Sequence, residues 1–181
     1  MNIFYLHHKP SRCARWHCDK HVVKMILETA QLLYTAHWIT EMAVGRLPSF
    51  RTAPLNGSGV RGYFSIHNPN HPSAIWARES LEQYEWLCLL GLELCLEFKH
   101  RFGGKAHSCE AHLLWLYRNH PAEMRRLGWK EPPQAMPVEY KVPGSSIRAY
   151  RKYYLGGKTA LLTYTARHAP HWQGGAKKLK K

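Results

Sequence analysis

The chain has 181 residues, of which 45% are hydrophobic, enough for one domain with a real core. It contains no apolar run of about 18 residues, the length needed to span a membrane. Its 26 Lys and Arg against 12 Asp and Glu give a net charge of +14, still +10 without the four lysines of Lys177-Lys178-Leu179-Lys180-Lys181. A compact domain tolerates such repulsion most readily when it binds a polyanion. Nucleic acid is therefore the leading expected partner, and an anionic small substrate such as a pyrophosphate is the competitor. The opening residues are too short and lack the basic start of a signal peptide. Five scattered cysteines (Cys13, Cys18, Cys88, Cys95, Cys109) fit reduced thiols rather than a disulfide framework. A cytoplasmic protein is expected, with no membrane partner.

In chain order, residues 2–6 read as a short strand or extended segment. A first helix is expected from Ser11 to Ala43, broken near His17–Asp19, with Asp19 capping the longer part. Residues 45–72 are rich in proline and glycine and too long for a simple connector, which suggests a functional loop. A second helix is expected from Pro72 to Phe102, ended by Gly103-Gly104. A third runs from Ser108, its cap, to about Asn119, and Ala122–Leu127 adds a turn. Residues 129–143 form a second proline-rich loop. Ser145 or Ser146 caps a last helix through Tyr154, and residues 158–172 start helically before continuing extended. The fold class is mainly α: a single-domain helical bundle over residues 1–172, with two long loops and a basic tail at 173–181.

The most informative stretch is Cys18-Asp19-Lys20-His21-Val22-Val23-Lys24-Met25-Ile26-Leu27-Glu28. His17, His21, Lys24, Glu28 and Gln31 are spaced four, three, four and three apart, so they stack as one stripe on a helix. Val22, Val23, Ile26, Leu27, Ala30 and Leu33 border that stripe. It is either a solvated or ion-paired face stabilising the helix, or the wall of an active-site cleft.

Three further constellations carry chemistry. In His67-Asn68-Pro69-Asn70-His71-Pro72-Ser73-Ala74-Ile75-Trp76-Ala77-Arg78, a rigid loop delivers polar groups to a helix N-terminus. That end suits phosphate or carboxylate, with Arg78 as a clamp; alternatively, His71 simply caps the helix. In Arg101-Phe102-Gly103-Gly104-Lys105-Ala106-His107, two glycines let backbone approach an anion, or serve only as a capping turn. On the last helix, Arg148, Tyr150, Arg151 and Lys152 combine cations with rings, as in contacts with a sugar-phosphate backbone, although core packing suits Tyr150 and Tyr153 equally. His17-x3-His21 near Cys13 and Cys18 has ligand spacing. His-Glu-x-x-His and Cys-x2-Cys are both absent, so no metal or organic cofactor is expected.

These motifs together resemble a family of small phage-encoded proteins. The shared pattern is the Met-Asn-Ile-Phe start, the Cys18–Glu28 motif, Asn70-His71-Pro72 with Trp76-x-Arg78, Arg101-Phe102-Gly103-Gly104-Lys105-x-His107, Gln134-Ala135-Met136-Pro137, and Ala149-Tyr150-Arg151-x-Tyr153-Tyr154. The likeness covers residues 1–155. It implies an amino acid:DNA transferase of thymidine hypermodification. Such an enzyme displaces pyrophosphate from a pyrophosphorylated 5-hydroxymethyluracil with the amine of glycine or serine. A more distant resemblance is to the all-α pyrimidine-dimer glycosylases, which use the amine of a threonine exposed by Met removal. Here Asn2 and bulky Ile3 depart from that pattern and favour the transferase. A non-catalytic basic DNA-binding accessory protein is the remaining alternative.

On the transferase reading, the catalytic set is Asp19, His21, Lys24 and Glu28, with Glu28 or His21 as the base that neutralises the incoming amine. Lys20, Lys24, Arg78, Arg101 and Lys105, with His107 beside them, are the cations for the leaving group. Asn70, His71 and Arg78 clamp the amino-acid carboxylate. Trp76 or Tyr150 stacks on a base flipped from duplex DNA carrying the modified thymine.

Overall fold

The computed structural model describes residues 2–62, 66 and 68–174. It is mainly helical, with six α-helices and no strand among the described residues. They are α1 (Pro10–Trp16), α2 (Asp19–Met42), α3 (Pro72–Glu79), α4 (Leu81–Arg101), α5 (Glu110–Arg118) and α6 (Ser146–Gly157). None is long and apolar enough to cross a membrane. His67 and the lysines of the terminal run lie outside the described residues.

Helices α2 and α4 form the spine, with α1, α3 and α5 packed on them. Val22, Met25, Ile26, Ala30, Leu33 and Ala36 supply the apolar stripe of α2, at the three- and four-residue spacing a one-sided helix requires. The helices pack tightly at Gly91 of α4, where a Cβ would stand 2.8 Å from Leu113 and 2.9 Å from Thr29. Residues 2–6 form no strand; Ile3, Phe4, Tyr5 and Leu6 thread into the core.

The expected break at 17–19 is present. His17 and Cys18 are extended, Cys18 stands at the N-cap of α2, and Asp19 is the first helical residue. A buried arginine makes the break tolerable. The Arg101 guanidinium donates to the Arg15 and His17 carbonyls that α1 leaves free at its end (2.9 and 2.8 Å). It also pairs with Asp19 at 3.1 Å and Glu97 at 3.0 Å.

The expected helix over Pro72–Phe102 is two helices. Ser80 between them is extended (φ −151°, ψ 146°). Its hydroxyl donates to the Gly128 carbonyl, and the Leu81 amide donates to Arg125, so the 120s loop satisfies the interruption. Cys109, not Ser108, stands at the N-cap of α5. Ser145 caps α6 as expected, accepting from the Arg148 amide. Residues 122–127 hold only a turn, while 129–143 are irregular apart from a 3-10 turn at Val138–Tyr140.

The chain from 158 to 174 is a strap, with 3-10 turns at Thr159–Leu161 and His171–Gln173. Asp19 accepts from the amide and hydroxyl of Thr165, each at 3.0 Å. Glu97 receives both Arg167 Nε and Nη2, at 3.0 and 2.7 Å. The strap is thereby held against α2 and α4.

Candidate functional site

The N-terminal half of α2, the buried segment 2–6, α6 and the strap together enclose a cavity of about 280 Å³. From α2 come Lys20, His21, Lys24, Met25 and Glu28. Asn2 and Phe4 close one side, and Tyr153, Lys158 and Leu161 the other. The stripe that looked ambiguous in sequence is thus a cavity wall over three of its residues, His21, Lys24 and Glu28. The wall exists because Val22, Ile26 and Thr29 on the adjoining face are fully or nearly buried, which fixes the helix rotation.

Among the described residues, Glu28 is the only carboxylate lining this cavity, and it is 7% exposed. Its Oε2 accepts the Asn2 backbone N–H at 3.0 Å, and its Oε1 lies 3.3 Å from Lys24 Nζ. Glu28 also acts on His71, whose pKa is lowered by burial and partly restored by this carboxylate. Lys20 and Lys24 are exposed at the rim, and Lys158 Nζ stands 4.8 Å from the centre of the Tyr153 ring. Three ammonium groups thus line one cavity with a carboxylate, Lys24 directly beside it, an arrangement that attracts an anion while keeping a proton acceptor in reach.

His21 is held differently. Its ring stacks on Phe4 at 4.1 Å, and its Nδ1 is hydrogen-bonded to the Tyr154 hydroxyl at 2.6 Å. Burial first, then His17, Lys158 and Lys24, push its pKa down to about 3. A ring so hard to protonate is neutral at physiological pH and a poor proton acceptor, which leaves Glu28 as the base. Behind it, His17 is wholly buried, with Nδ1 on the Cys13 carbonyl and a pKa lowered to about 4 by burial. Cys18 is fully buried and burial raises its thiol pKa, so it has none of the marks of a nucleophile.

The other sequence-selected residues lie elsewhere. Asp19 faces Thr165 and Arg101, and Arg101 is fully enclosed; both hold the fold together. Trp76 is 3% exposed, with its Nε1 donating to the Lys130 carbonyl. Tyr150 is 0% exposed, its hydroxyl 2.7 Å from Asn2 Oδ1 and from the Pro133 carbonyl. Neither ring offers a face to a flipped base. Arg78 donates to the Pro69 carbonyl at 2.6 Å, fixing the turn before α3. His71 caps α3, accepting from the Ser73 amide, with Asn70 exposed beside it.

His107 accepts from the Cys109 amide at the start of α5, and Lys105 is exposed. The Arg151 guanidinium lies over Trp16 and Trp172 (4.9 and 5.5 Å) and its Nε donates to Leu6, so it anchors the strap. Arg148 and Lys152 are exposed on α6, and Lys152 donates to the Glu139 carbonyl. Among the described residues, no group of three or more His, Cys, Asp or Glu is arranged to hold a metal ion.

Sequence reasoning missed Asn2, Phe4, Met25, Tyr153, Lys158 and Leu161 as cavity residues. The first two sit in the Met-Asn-Ile-Phe start and Tyr153 in the Tyr-rich motif of α6. Nothing local marks Lys158 or Leu161, which the strap carries in. The chain matches no protein-family model, no curated protein and no solved structure.

Proposed function

We propose that the cavity on α2 is the active site of a DNA-modifying transferase. It would join the amine of a small amino acid, glycine or serine, to a pyrophosphorylated 5-hydroxymethyluracil and release pyrophosphate. The observation that carries this reading is a cavity lined by Lys20, Lys24, Lys158 and Glu28, with Lys24 paired to the carboxylate. In the reaction, the amine nitrogen bonds to the 5-methylene carbon as the carbon–oxygen bond to pyrophosphate breaks. The oxygen leaves with the electron pair, where the three ammonium groups stabilise its charge. The proton lost by the amine passes to Glu28. Neutral His21, stacked on Phe4, gives the wall an apolar face, and Tyr153 lines the cavity that would receive a base turned out of the duplex. The net charge of +14 supports DNA as the carrier of that base.

Labelled glycine and serine, incubated separately with the protein and DNA bearing the pyrophosphorylated base, test this directly. Label retained on the DNA supports the reading, and its absence with both amino acids counts against it.

One contact favours a second reading. An amine beside a carboxylate, as Lys24 stands to Glu28, is also the equipment of a base-excising glycosylase/lyase, in which the amine attacks the sugar C1′. Borohydride trapping of a covalent protein–DNA adduct on dimer-containing DNA would select that reading.

A further inference from the structure

The loop that follows α2 holds a second feature, distinct from the cavity. Residues 54–62 form a tight hairpin: Leu55 and Arg61 are bridged, and the Gly62 amide donates to the Pro54 carbonyl at 2.8 Å. Asn56 locks its tip, accepting from the Ser58 and Val60 amides (2.9 and 3.0 Å) and donating to the Gly62 carbonyl (3.0 Å). Gly62 adopts φ +66° with Tyr34 of α2 and Phe50 packed against it, and a Cβ there would meet Tyr34 at 3.0 Å. The hairpin is therefore built and seated. Yet it holds Leu55 58% exposed and Val60 42% exposed, with Leu47 nearby in sequence 77% exposed. A rigid turn that keeps large apolar side chains in water has a partner to give them to.

Charge identifies that partner. No Asp or Glu occurs between Met42 and Arg78. Beside the hairpin, Arg51 and Arg61 flank a cleft of about 480 Å³ floored by Phe50, and Arg61 donates to the Ala53 carbonyl. Two guanidinium groups over an apolar floor, without a carboxylate, suit phosphate and sugar. An exposed leucine next to them suits a base step that must be unstacked. The hairpin is seated on the helix that also forms the cavity wall: Tyr34, against which Gly62 packs, lies six residues after Glu28 on α2.

We propose that this hairpin is a DNA wedge: Leu55 enters the base stack while Arg51 and Arg61 hold the flanking phosphates. The inference rests on the DNA-modifying reading above and adds to it the element that opens the duplex. Because the hairpin is already ordered, little conformational freedom is lost when it inserts.

The test uses the full chain and a short fluorescein-labelled duplex with one 2-aminopurine beside a 5-hydroxymethyluracil. Anisotropy reports binding, and 2-aminopurine fluorescence reports unstacking. The wild type is expected to bind and brighten the probe several-fold. Leu55→Ala, at an exposed position that leaves the fold intact, should bind within about twofold of wild type while losing most of the brightening. Arg51→Ala should weaken binding and lower the salt slope by about one.

Equal brightening by Leu55→Ala and wild type overturns the wedge alone, as does wild-type binding with no brightening. Failure of the wild type to bind duplex removes the wedge and the DNA reading together. A wild-type dimer in sedimentation that Leu55→Ala converts to monomer would instead make the hairpin an interface between copies, again overturning the wedge.

Discussion

Glu28 accepts the backbone N–H of Asn2 at 3.0 Å, joining the first residues of the chain to the middle of α2 at the floor of the cavity. The contact holds one carboxylate oxygen still, while the other stays near Lys24. With His21 too difficult to protonate, Glu28 is the one group among the described residues lining the cavity that is suited to take a proton from an amine. Glu28→Gln keeps the shape and removes the base. It is expected to slow transfer by about 10²–10⁴-fold with DNA affinity unchanged, measured by single-turnover kinetics and anisotropy. A variant with wild-type rate would remove Glu28 from the chemistry.

The Lys20, Lys24 and Lys158 ammonium groups make a second, separable prediction. Inorganic pyrophosphate should inhibit transfer competitively with the pyrophosphorylated DNA. Lys20→Ala combined with Lys158→Ala should weaken that inhibition by about tenfold or more, as loss of charge-assisted contacts requires. Unchanged inhibition would place the leaving group elsewhere.

Arg101 ties three segments together through Glu97, Asp19 and the last carbonyls of α1, with no exposed side-chain surface. Arg101→Met leaves two carboxylates and two carbonyls without it. It should cost about 3–5 kcal/mol in urea-induced unfolding, as a broken buried pair does. A loss under about 1 kcal/mol would show that Arg167 alone suffices for Glu97 and that solvent reaches the rest.

Gly91 offers a test with competing effects. Alanine raises helix propensity by about 1 kcal/mol, but its methyl would meet Leu113 and Thr29 at under 3.0 Å. Overpacking of this kind costs about 1–3 kcal/mol, so Gly91→Ala should lower the thermal midpoint. A higher midpoint would mean that α5 moves aside freely.

Buried histidines, His17, His21 and His37 among them, limit the stability of the fold in acid. Burial, the dominant cause in each, lowers His17 and His37 to about 4 and His21 to about 3, so the unfolded chain takes up these protons first. Their stabilising contribution is full above about pH 6.5 and declines as the pH falls toward 4, each ring losing up to about 1.4 kcal/mol per pH unit. Thermal midpoints should therefore drop steadily from pH 7 to pH 5, above the range where carboxylates titrate. A flat profile would contradict these assignments.

The helical fold and one wall of the site were legible in the sequence because both rest on local periodicity. The spacing that places His21, Lys24 and Glu28 on one face of α2 also fixes which face is buried. The break at Ser80 was not legible. The apolar rhythm from Ile75 to Phe98 runs straight through it, and the groups that satisfy it, Gly128 and Arg125, come from more than forty residues away. Trp76, Tyr150 and Arg101 looked like ligand-facing residues because motif reading registers residue type without burial. Each instead spends its polar atoms on distant backbone or carboxylate groups. Lys158 and Leu161 reach the cavity only because Asp19 and Glu97 hold the strap, a tertiary arrangement no local pattern records.

The most direct measurement is nucleoside mass spectrometry on DNA carrying 5-pyrophosphoryloxymethyluracil, after incubation with the protein and all twenty amino acids. A new nucleoside carrying one amino acid in place of pyrophosphate, formed by wild type and not by Glu28→Gln, is the predicted result. DNA that is bound yet unchanged, or that gains abasic sites instead, would contradict the transferase.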